Sequence, residues 1–388
     1  MDGTATAHTV TSLDTGDPDF DRLSIYHAYR LDDRERAGTL FLHGSTSMTT
    51  DDRRPRRPPP SDVVVLGLDI GGTKLAAGVV TGDGRVLSRA VIPAHAEDGP
   101  WSMIERHIAL GRQVVAEAGV DWSRIAGIGI ACGGPLDPDA GVILSPPNLP
   151  GWDRIPLVDT VSERLGLPTG VENDATAGAL AEWWFGAGRS RGVDDLIYLT
   201  ISTGIGGGLV LGGQLYTGVA GNAGELGHLT VIYNGRQCGC GRRGCLEAYA
   251  SGTNIAARAR EAIAAGETSS LSELPSLTSK EVAEQARAGD PLATRIWDET
   301  MAMLASGVAN ILDVFNPALV VLGGGVTRVG DQLLVPVREA ALRDAMEPAR
   351  RSAEIVLTEL GANHDVISAA VVAFERLPMP AALQEARA

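Results

Sequence analysis

Three of the four cysteines in this chain, Cys238, Cys240 and Cys245, fall within eight residues, and His228 stands ten residues before the first. Thiolate and imidazole are the donors of structural zinc, which takes four of them in a tetrahedron. Gly239, Gly241 and Gly244, between and beside the cysteines, let so short a segment wrap an ion. Cysteines one residue apart pair poorly as a disulfide. The set predicts a structural zinc site with ligands His228, Cys238, Cys240 and Cys245, saturated and so unable to activate water. Arg236, Arg242 and Arg243 lie alongside to balance the thiolate charge. Glu225 and Glu247 flank the knot, and a metal that fixes the loop also fixes where these carboxylates point. Acidic groups in a cleft suit a polyol, because each carboxylate oxygen accepts from an O–H. Cys132, in "ACGGPLDP", reads as a small core or turn residue.

Two glycine-rich turns carry a second kind of chemistry. Asp69-Ile70-Gly71-Gly72-Thr73-Lys74 offers backbone N–H groups to an anion, a carboxylate that could hold Mg²⁺ through water, and a hydroxyl and an ammonium for phosphate oxygens. Thr203-Gly204-Ile205-Gly206-Gly207 offers a hydroxyl and bare backbone. Neither fits G-x-x-x-x-G-K-[ST] or the dinucleotide pattern G-x-G-x-x-G. Either alone could be a plain hairpin; as a pair they point to one polyphosphate held from two sides. A third cluster, Gly323-Gly324-Gly325, is either a strand-to-helix turn or a place where an adenine lies flat against backbone. In "VENDATAGAL", Asn173 and Asp174 stand between a strand and a helix. One of them caps that helix, or Asp174 takes a proton from an attacking hydroxyl while Asn173 orients the substrate.

The elements that must position these groups repeat. "VVVLGLD", the first turn, "LAAGVVT", "GDG" and "RVLSRAVI" read as strand, turn, strand, turn, strand. "LIYLTIS", "TGIGG", "GLVLGG" and "QLYTG" repeat that pattern about 130 residues on, a period too long for a solenoid. Two similar α/β lobes facing across a cleft are expected, with the ligands between them. Helices are expected at roughly Trp101–Ala118, over "ATAGALAEWWFGAG", "SKEVAEQARAG" and "PLATRIWDETMAMLASGVANILDVF", and at "DVISAAVVAFERL", which would return to the first lobe.

A chain of 388 residues exceeds one ordinary core, in keeping with two lobes. The net charge of −15 disfavours nucleic acid and anionic membrane, and no apolar run is long enough to span a bilayer. The first residues, "MDGTATAHTV", have neither a basic start nor an apolar stretch, so no secretory signal is expected. Sparse cysteine argues for a reducing, cytoplasmic setting. Residues 1–61 are polar and end in "DDRRPRRPPPSD", which reads as a mobile extension rather than a DNA-binding arm built on Arg53, Arg54, Arg56 and Arg57.

"LDIGGTK", "NLPGW", "VENDA", "TISTGIGGG", "GNAGELGH" and "CGCGRRGCLEAYASG" together resemble the ROK family of bacterial sugar kinases and related repressors, over about residues 63–376. The resemblance implies an α/β fold of two duplicated actin-like (ribonuclease H-like) lobes with an interlobe cleft and a zinc-braced loop. Residues 62–180, joined by a C-terminal helix at 363–376, would form the N-terminal lobe, and residues 181–362 the C-terminal lobe. It implies Asp174 as the base acting on the sugar hydroxyl. Asn148, Asn173, Glu225, His228 and Glu247 would bind sugar, His228 giving its other nitrogen to zinc, with backbone near Gly133 and Gly134 joining from the first lobe. Asp69, Gly71, Gly72, Thr73, Lys74, Thr203, Gly204 and Gly206 would surround the phosphates and Mg²⁺, with Gly324 and Gly325 at the adenosine. The implied reaction is ATP-dependent conversion of glucose to glucose 6-phosphate by a cytoplasmic homo-oligomer, dimer or tetramer. The alternatives are another hexose, N-acetylmannosamine or N-acetylglucosamine as acceptor, polyphosphate as donor, or a sugar-responsive regulator. Residues 1–61 depart from the repressor branch, since they show no winged-helix pattern.

Overall fold

The computed structural model describes residues 59–377. Residues 1–58 and 378–388 lie outside the described residues, and so does most of the expected extension, with its arginine run. Packing starts slightly before the expected boundary: Val63 N–H donates to Pro60 O at 3.1 Å.

The first half runs β1 (Val64–Ile70), β2 (Lys74–Thr81), β3 (Val86–Pro93), α1 (Pro100–Glu117), β4 (Ile125–Cys132), a three-stranded excursion β5 (Leu136–Asp137), β6 (Val142–Leu144) and β7 (Asp153–Pro156), then α2 (Leu157–Leu165) and β8 (Thr169–Asn173). Helices α3 (Asp174–Phe185) and α4 (Ala187–Arg191) lead into the second half. There β9 (Leu196–Ile201), β10 (Ile205–Leu211) and β11 (Gln214–Leu215) precede α5 (Glu247–Ala250), α6 (Gly252–Ala264), α7 (Ser279–Arg287) and α8 (Pro291–Phe315). Strand β12 (Leu319–Gly323), α9 (Asp331–Asp344), α10 (Glu347–Ser352), β13 (Glu354–Leu357) and α11 (His364–Arg376) complete it.

The sheet orders are β3-β2-β1-β4-β8 and β11-β10-β9-β12-β13, the same topology twice. In each, the first two pairings are antiparallel and the last two are parallel. The repeat expected from sequence is therefore real at the level of strand pairing. The three-stranded excursion, α2, α6, α9 and β13 were not expected. The excursion strands, α2 and β13 are short, and the apolar residues of α6 and α9 find their partners only across the fold.

Alternation along the strands sorts the layers. On β1, Val64, Leu66, Leu68 and Ile70 pack with α1, while Val65, Gly67 and Asp69 take the opposite face, toward α11. On β9, Ile197, Leu199 and Ile201 join the outer core with α6 to α9, and Leu196 and Tyr198 face inward. Helix α11 returns to cover the first sheet, as expected, and packs on α3, which lies against β9 and β10 across the expected junction at residue 180. Lying between these layers, α11 is buried almost all round, from Val366 to Phe374. Gly129 shows why the helix can sit so close: a Cβ there would stand 2.0 Å from Ala369 O. Phe374 stacks on Trp184 of α3 with centroids 6.3 Å apart, and truncating so buried a ring to alanine costs about 3–5 kcal/mol. The result is an α/β, actin-like two-lobe architecture. Among the described residues, no helix is long and apolar enough to cross a membrane.

Candidate active site

The hairpin turns of the two sheets reach the crevice between the lobes. In the first, Gly71 N–H donates to Lys74 O at 3.1 Å, closing the turn between β1 and β2. Gly72 has no room for a side chain, since a Cβ would lie 2.5 Å from Asn148 O. The excursion loop bearing Asn148, exposed at its tip, thus rests directly on this turn. The second turn is tighter than expected. Ser202 N–H donates to Gly204 O at 2.9 Å, and Ile205, Gly206 and Gly207 already belong to β10. Only Thr203 and Gly204 of the expected cluster lie in the bend itself.

Asp69, on the crevice face of β1, has its carboxyl pushed up to about 8 from the ordinary 3.8. Burial is the first cause, and the charges of Asp365 and Asp174 add to it, against Lys74 and Arg89. Asp365, at the start of α11, was missed by sequence reading. Its carboxylate accepts from Arg89 Nε at 3.0 Å and Nη2 at 2.6 Å, and Lys74 Nζ lies 3.9 Å away. No motif connects three residues so far apart in the chain.

Asn173 and Asp174 divide the two roles that sequence left open. Asn173 caps α3, its Oδ1 accepting from Ala175 N–H at 3.0 Å and Thr176 N–H at 3.3 Å. Asp174, the first residue of α3, accepts only from backbone N–H groups, with Ala175 at 2.8 Å. It remains accessible to solvent at the crevice, yet the protein around it raises its pKa, burial outweighing those backbone bonds. The accessible surface and the crowding describe different things, and the direction of the shift follows from the crowding. A carboxylate that is raised, accessible and free of side-chain partners is available to take a proton.

The donor atoms of His228, Cys238, Cys240 and Cys245 all lie within 4.8 Å of one another. Cys240 and Cys245 Sγ are 3.8 Å apart. That is the separation two sulfurs have when both bind one tetrahedral ion at about 2.3 Å, and far beyond a disulfide. His228 Nδ1 lies 3.7 Å from Cys238 Sγ, and its Nε2 faces Glu225 Oε2 at 3.7 Å. One ring nitrogen therefore serves the cluster and the other the crevice. The arginines play unequal parts. Arg242 lies near enough to favour the charged Cys240 and Cys245, but Arg236 is turned away into an ion pair with Glu261, its Nη1 donating at 2.6 Å. Glu247 links the knot to the second turn. Its Oε2 accepts from Ile205 N–H at 2.8 Å, and Oε1 lies 3.8 Å from Cys238 Sγ. Of the expected sugar ligands, Glu247 is thus already engaged by protein, while Glu225 is exposed.

A pocket of about 920 Å³ opens beside the second turn. Thr203 and Gly325 edge it, and its far walls come from Thr253 of α6, Lys280 of α7, Arg260 and Arg328. Of the two glycines expected at the adenosine, Gly325 lines this pocket and Gly324 does not. Helix α6 was missed, although Ser251 Oγ accepts from Asn254 N–H at its start; α7 was expected and opens on a capping box of Thr278 and Glu281, but its place in a pocket wall was not foreseen.

Comparison with known proteins agrees with this layout. A family model described as "ROK family" matches residues 65–376. A glucokinase of Thermotoga maritima is 37% identical over 81% of this chain and 98% of its own length. An N-acetylmannosamine kinase of Escherichia fergusonii is 37% identical over 68% of this chain and 84% of its own. Among solved structures, a ROK family glucokinase from Streptomyces griseus in complex with glucose and AMPPNP is 34% identical, with a TM-score of 0.68, covering 80% of this chain and 99% of that one. A match spanning both sheets, both turns and the cysteine knot settles kinship, and the chain belongs to the ROK family.

Proposed function

We propose that this protein is an ATP-dependent glucokinase, transferring the γ-phosphoryl group of ATP to the 6-hydroxyl of glucose. The observation that carries the chemistry is the division of labour at the head of α3: Asn173 caps the helix, and Asp174 is left free beside the phosphate turns. The glucokinase relatives supply the substrate. Asp174 accepts the proton of the 6-hydroxyl as the new O–P bond forms, and ADP leaves with the old bridging oxygen. Asn148 from one lobe and Glu225 and His228 from the other hold the sugar hydroxyls. Asn173 contributes through its amide nitrogen, its oxygen being spent on the cap, and Glu247 acts by fixing the wall. The turns at Gly71, Gly72, Thr73 and Lys74 and at Thr203, Gly204 and Gly206 cradle the phosphates, with adenosine in the pocket beside Gly324 and Gly325. Closure of the lobes excludes water, the competing acceptor.

Two ions belong to this reading. Mg²⁺ arriving with ATP would be held near Asp69, where neighbouring carboxylates already make deprotonation costly. When bound it neutralises charge on the transferring phosphate. Zinc in the Cys₃His set would brace the crevice wall, and the spacing of the donors fits it. A cytoplasmic homo-oligomer completes the proposal.

A second reading, phosphorylation of N-acetylmannosamine or another N-acyl amino sugar, is favoured by the relative named for that activity. A panel of glucose, mannose, fructose, N-acetylglucosamine and N-acetylmannosamine, each with ATP and with polyphosphate, decides. Glucose with ATP should give the highest kcat/KM, and negligible glucose turnover beside strong turnover of another sugar rejects the first reading.

A further inference from the structure

Two stretches of backbone join the lobes. One is the step from β8 into α3, where Asp174 stands. The other is the stretch between β13 and α11, which begins at Thr358. The second link is held by a single buried side chain, Glu182, near the far end of α3, the helix that the first link begins. Glu182 is 0% exposed. Its Oε2 accepts from Ala187 N–H at 2.9 Å, and its Oε1 accepts from Thr358 Oγ1–H. Burial pushes the Glu182 carboxyl above its ordinary value, opposed by the bonds from Thr358, Ala187 N–H and the backbone N–H of Glu359. A carboxylate offers two accepting oxygens to several donors at once, whereas a glutamine has one accepting oxygen and brings two donors of its own. Around this point the surface ion pairs repeat the connection: Arg191 Nε donates to Glu354 at 2.7 Å, Arg191 Nη1 to Glu359 at 2.5 Å, and Ser190 Oγ to Glu359 at 2.9 Å. At the other end of the second link, His364 stacks on Tyr198 of β9, with centroids 5.2 Å apart.

We infer that Glu182 is a positioning residue for phosphoryl transfer: it pins the helix that carries Asp174 to the second interlobe link, so that closure of the lobes moves the base and that link as one body. The inference rests on the kinase reading above. It has a consequence that separates sugar from nucleotide. The 920 Å³ pocket is lined by residues of the second half alone, so adenosine, which would occupy only that pocket, binds without help from the hinge. The sugar hydroxyls are met from both lobes, and their capture needs the hinge to close in register.

The test uses the full chain after wild-type turnover of a sugar has been established, so that failure of the kinase reading is seen first and separately. Glu182→Gln should lower kcat/KM for the sugar by about tenfold or more, the scale of one lost hydrogen bond at a buried carboxyl, with binding of adenosine unchanged. Thr358→Val should move in the same direction, and Thr358→Ser, which keeps the hydroxyl, should match wild type. The double variant should fall short of the product of the single effects. Should Glu182→Gln not fold, the Thr358 pair decides. Wild-type kinetics in folded Thr358→Val, equal losses in the valine and serine variants, or a parallel loss of adenosine binding overturns the assignment.

Discussion

The first hairpins of the two sheets occupy the same place in the same topology, yet they are built from different chemistry. In the first lobe the turn is charged and supported from within. Asp69 precedes it, Lys74 ends it, and Asp365 with Arg89 completes the ionic set. In the second lobe the turn is bare. Its support comes from outside, through Glu247 on Ile205 N–H and from there to the cysteine knot. The repeated scaffold delivers a backbone bend to each side of the crevice, and each half then acquires its own means of holding that bend. Asp174 belongs to neither turn. It stands at the seam, on the helix that lies between the sheets.

The sharpest way to break this comparison is at the seam. Asp174→Ala should lower kcat by about 10²–10⁴-fold, the scale of losing a general base, with sugar KM little changed. Steady-state kinetics under saturating ATP checks it, and a variant that binds sugar weakly but turns over normally would place the base elsewhere.

Next comes the asymmetry of support. Removing the bound metal by chelation, or replacing Cys240 with Ala, should reduce activity by about 10–100-fold, the range seen when the supports of a metal site are disturbed. Hydrogen exchange should rise over residues 202–207 while residues 70–74 keep their protection. Metal analysis should find about one zinc per chain before treatment. Equal loosening of both turns would show that the halves are supported alike after all. A finer cut is Glu247→Gln, which keeps the shape and weakens the bond to Ile205 N–H. We expect a loss of about three- to tenfold in kcat/KM, from one charge-assisted hydrogen bond made neutral, with zinc content intact.

How legible each half was follows from how far its parts lie apart in the chain. The gathering of His228, Cys238, Cys240 and Cys245 could be read because the four span only residues 228–245. The two turns could be read because each follows an apolar strand, and the duplication because the strand patterns repeat. The cap at Asn173 was ambiguous in sequence, since Asn and Asp both cap well, and only the observed acceptor settles which one does. What escaped depends on contacts across long separations. Thr358 reaches Glu182 over 176 positions, and Arg89 reaches Asp365 over 276. Neither pair has a spacing to betray it. The helical wall of the large pocket escaped for a different reason: Thr253, Arg260 and Lys280 belong to ordinary amphipathic helices, and their orientation becomes visible only once those helices pack.

The smallest effect concerns stability and tests the charged character of the first turn directly. Asp69 has a carboxyl raised to about 8 in the folded chain against an ordinary 3.8, chiefly by burial and then by Asp365 and Asp174. A raised acid favours the protonated native state, so its cost to folding is absent below the unfolded value. That cost grows as pH climbs from about 4 to about 8, and is constant above. Asp69→Asn removes a charge the native state is reluctant to carry. Without nucleotide or divalent cation, the variant should therefore melt at a higher temperature than wild type, by a few degrees at pH 8 to 9 and by almost nothing near pH 4. Asp69 is partly open to the crevice, which limits the gain. The same substitution should sharply reduce turnover, because the carboxylate whose strain it relieves is the one proposed to hold Mg²⁺. Parallel melting curves over that pH range, with and without Mg²⁺ and ATP, read both consequences. A variant that is destabilised at high pH would mean that Lys74 and Arg89 outweigh the two neighbouring carboxylates, and that the first turn is electrostatically satisfied before any ligand arrives.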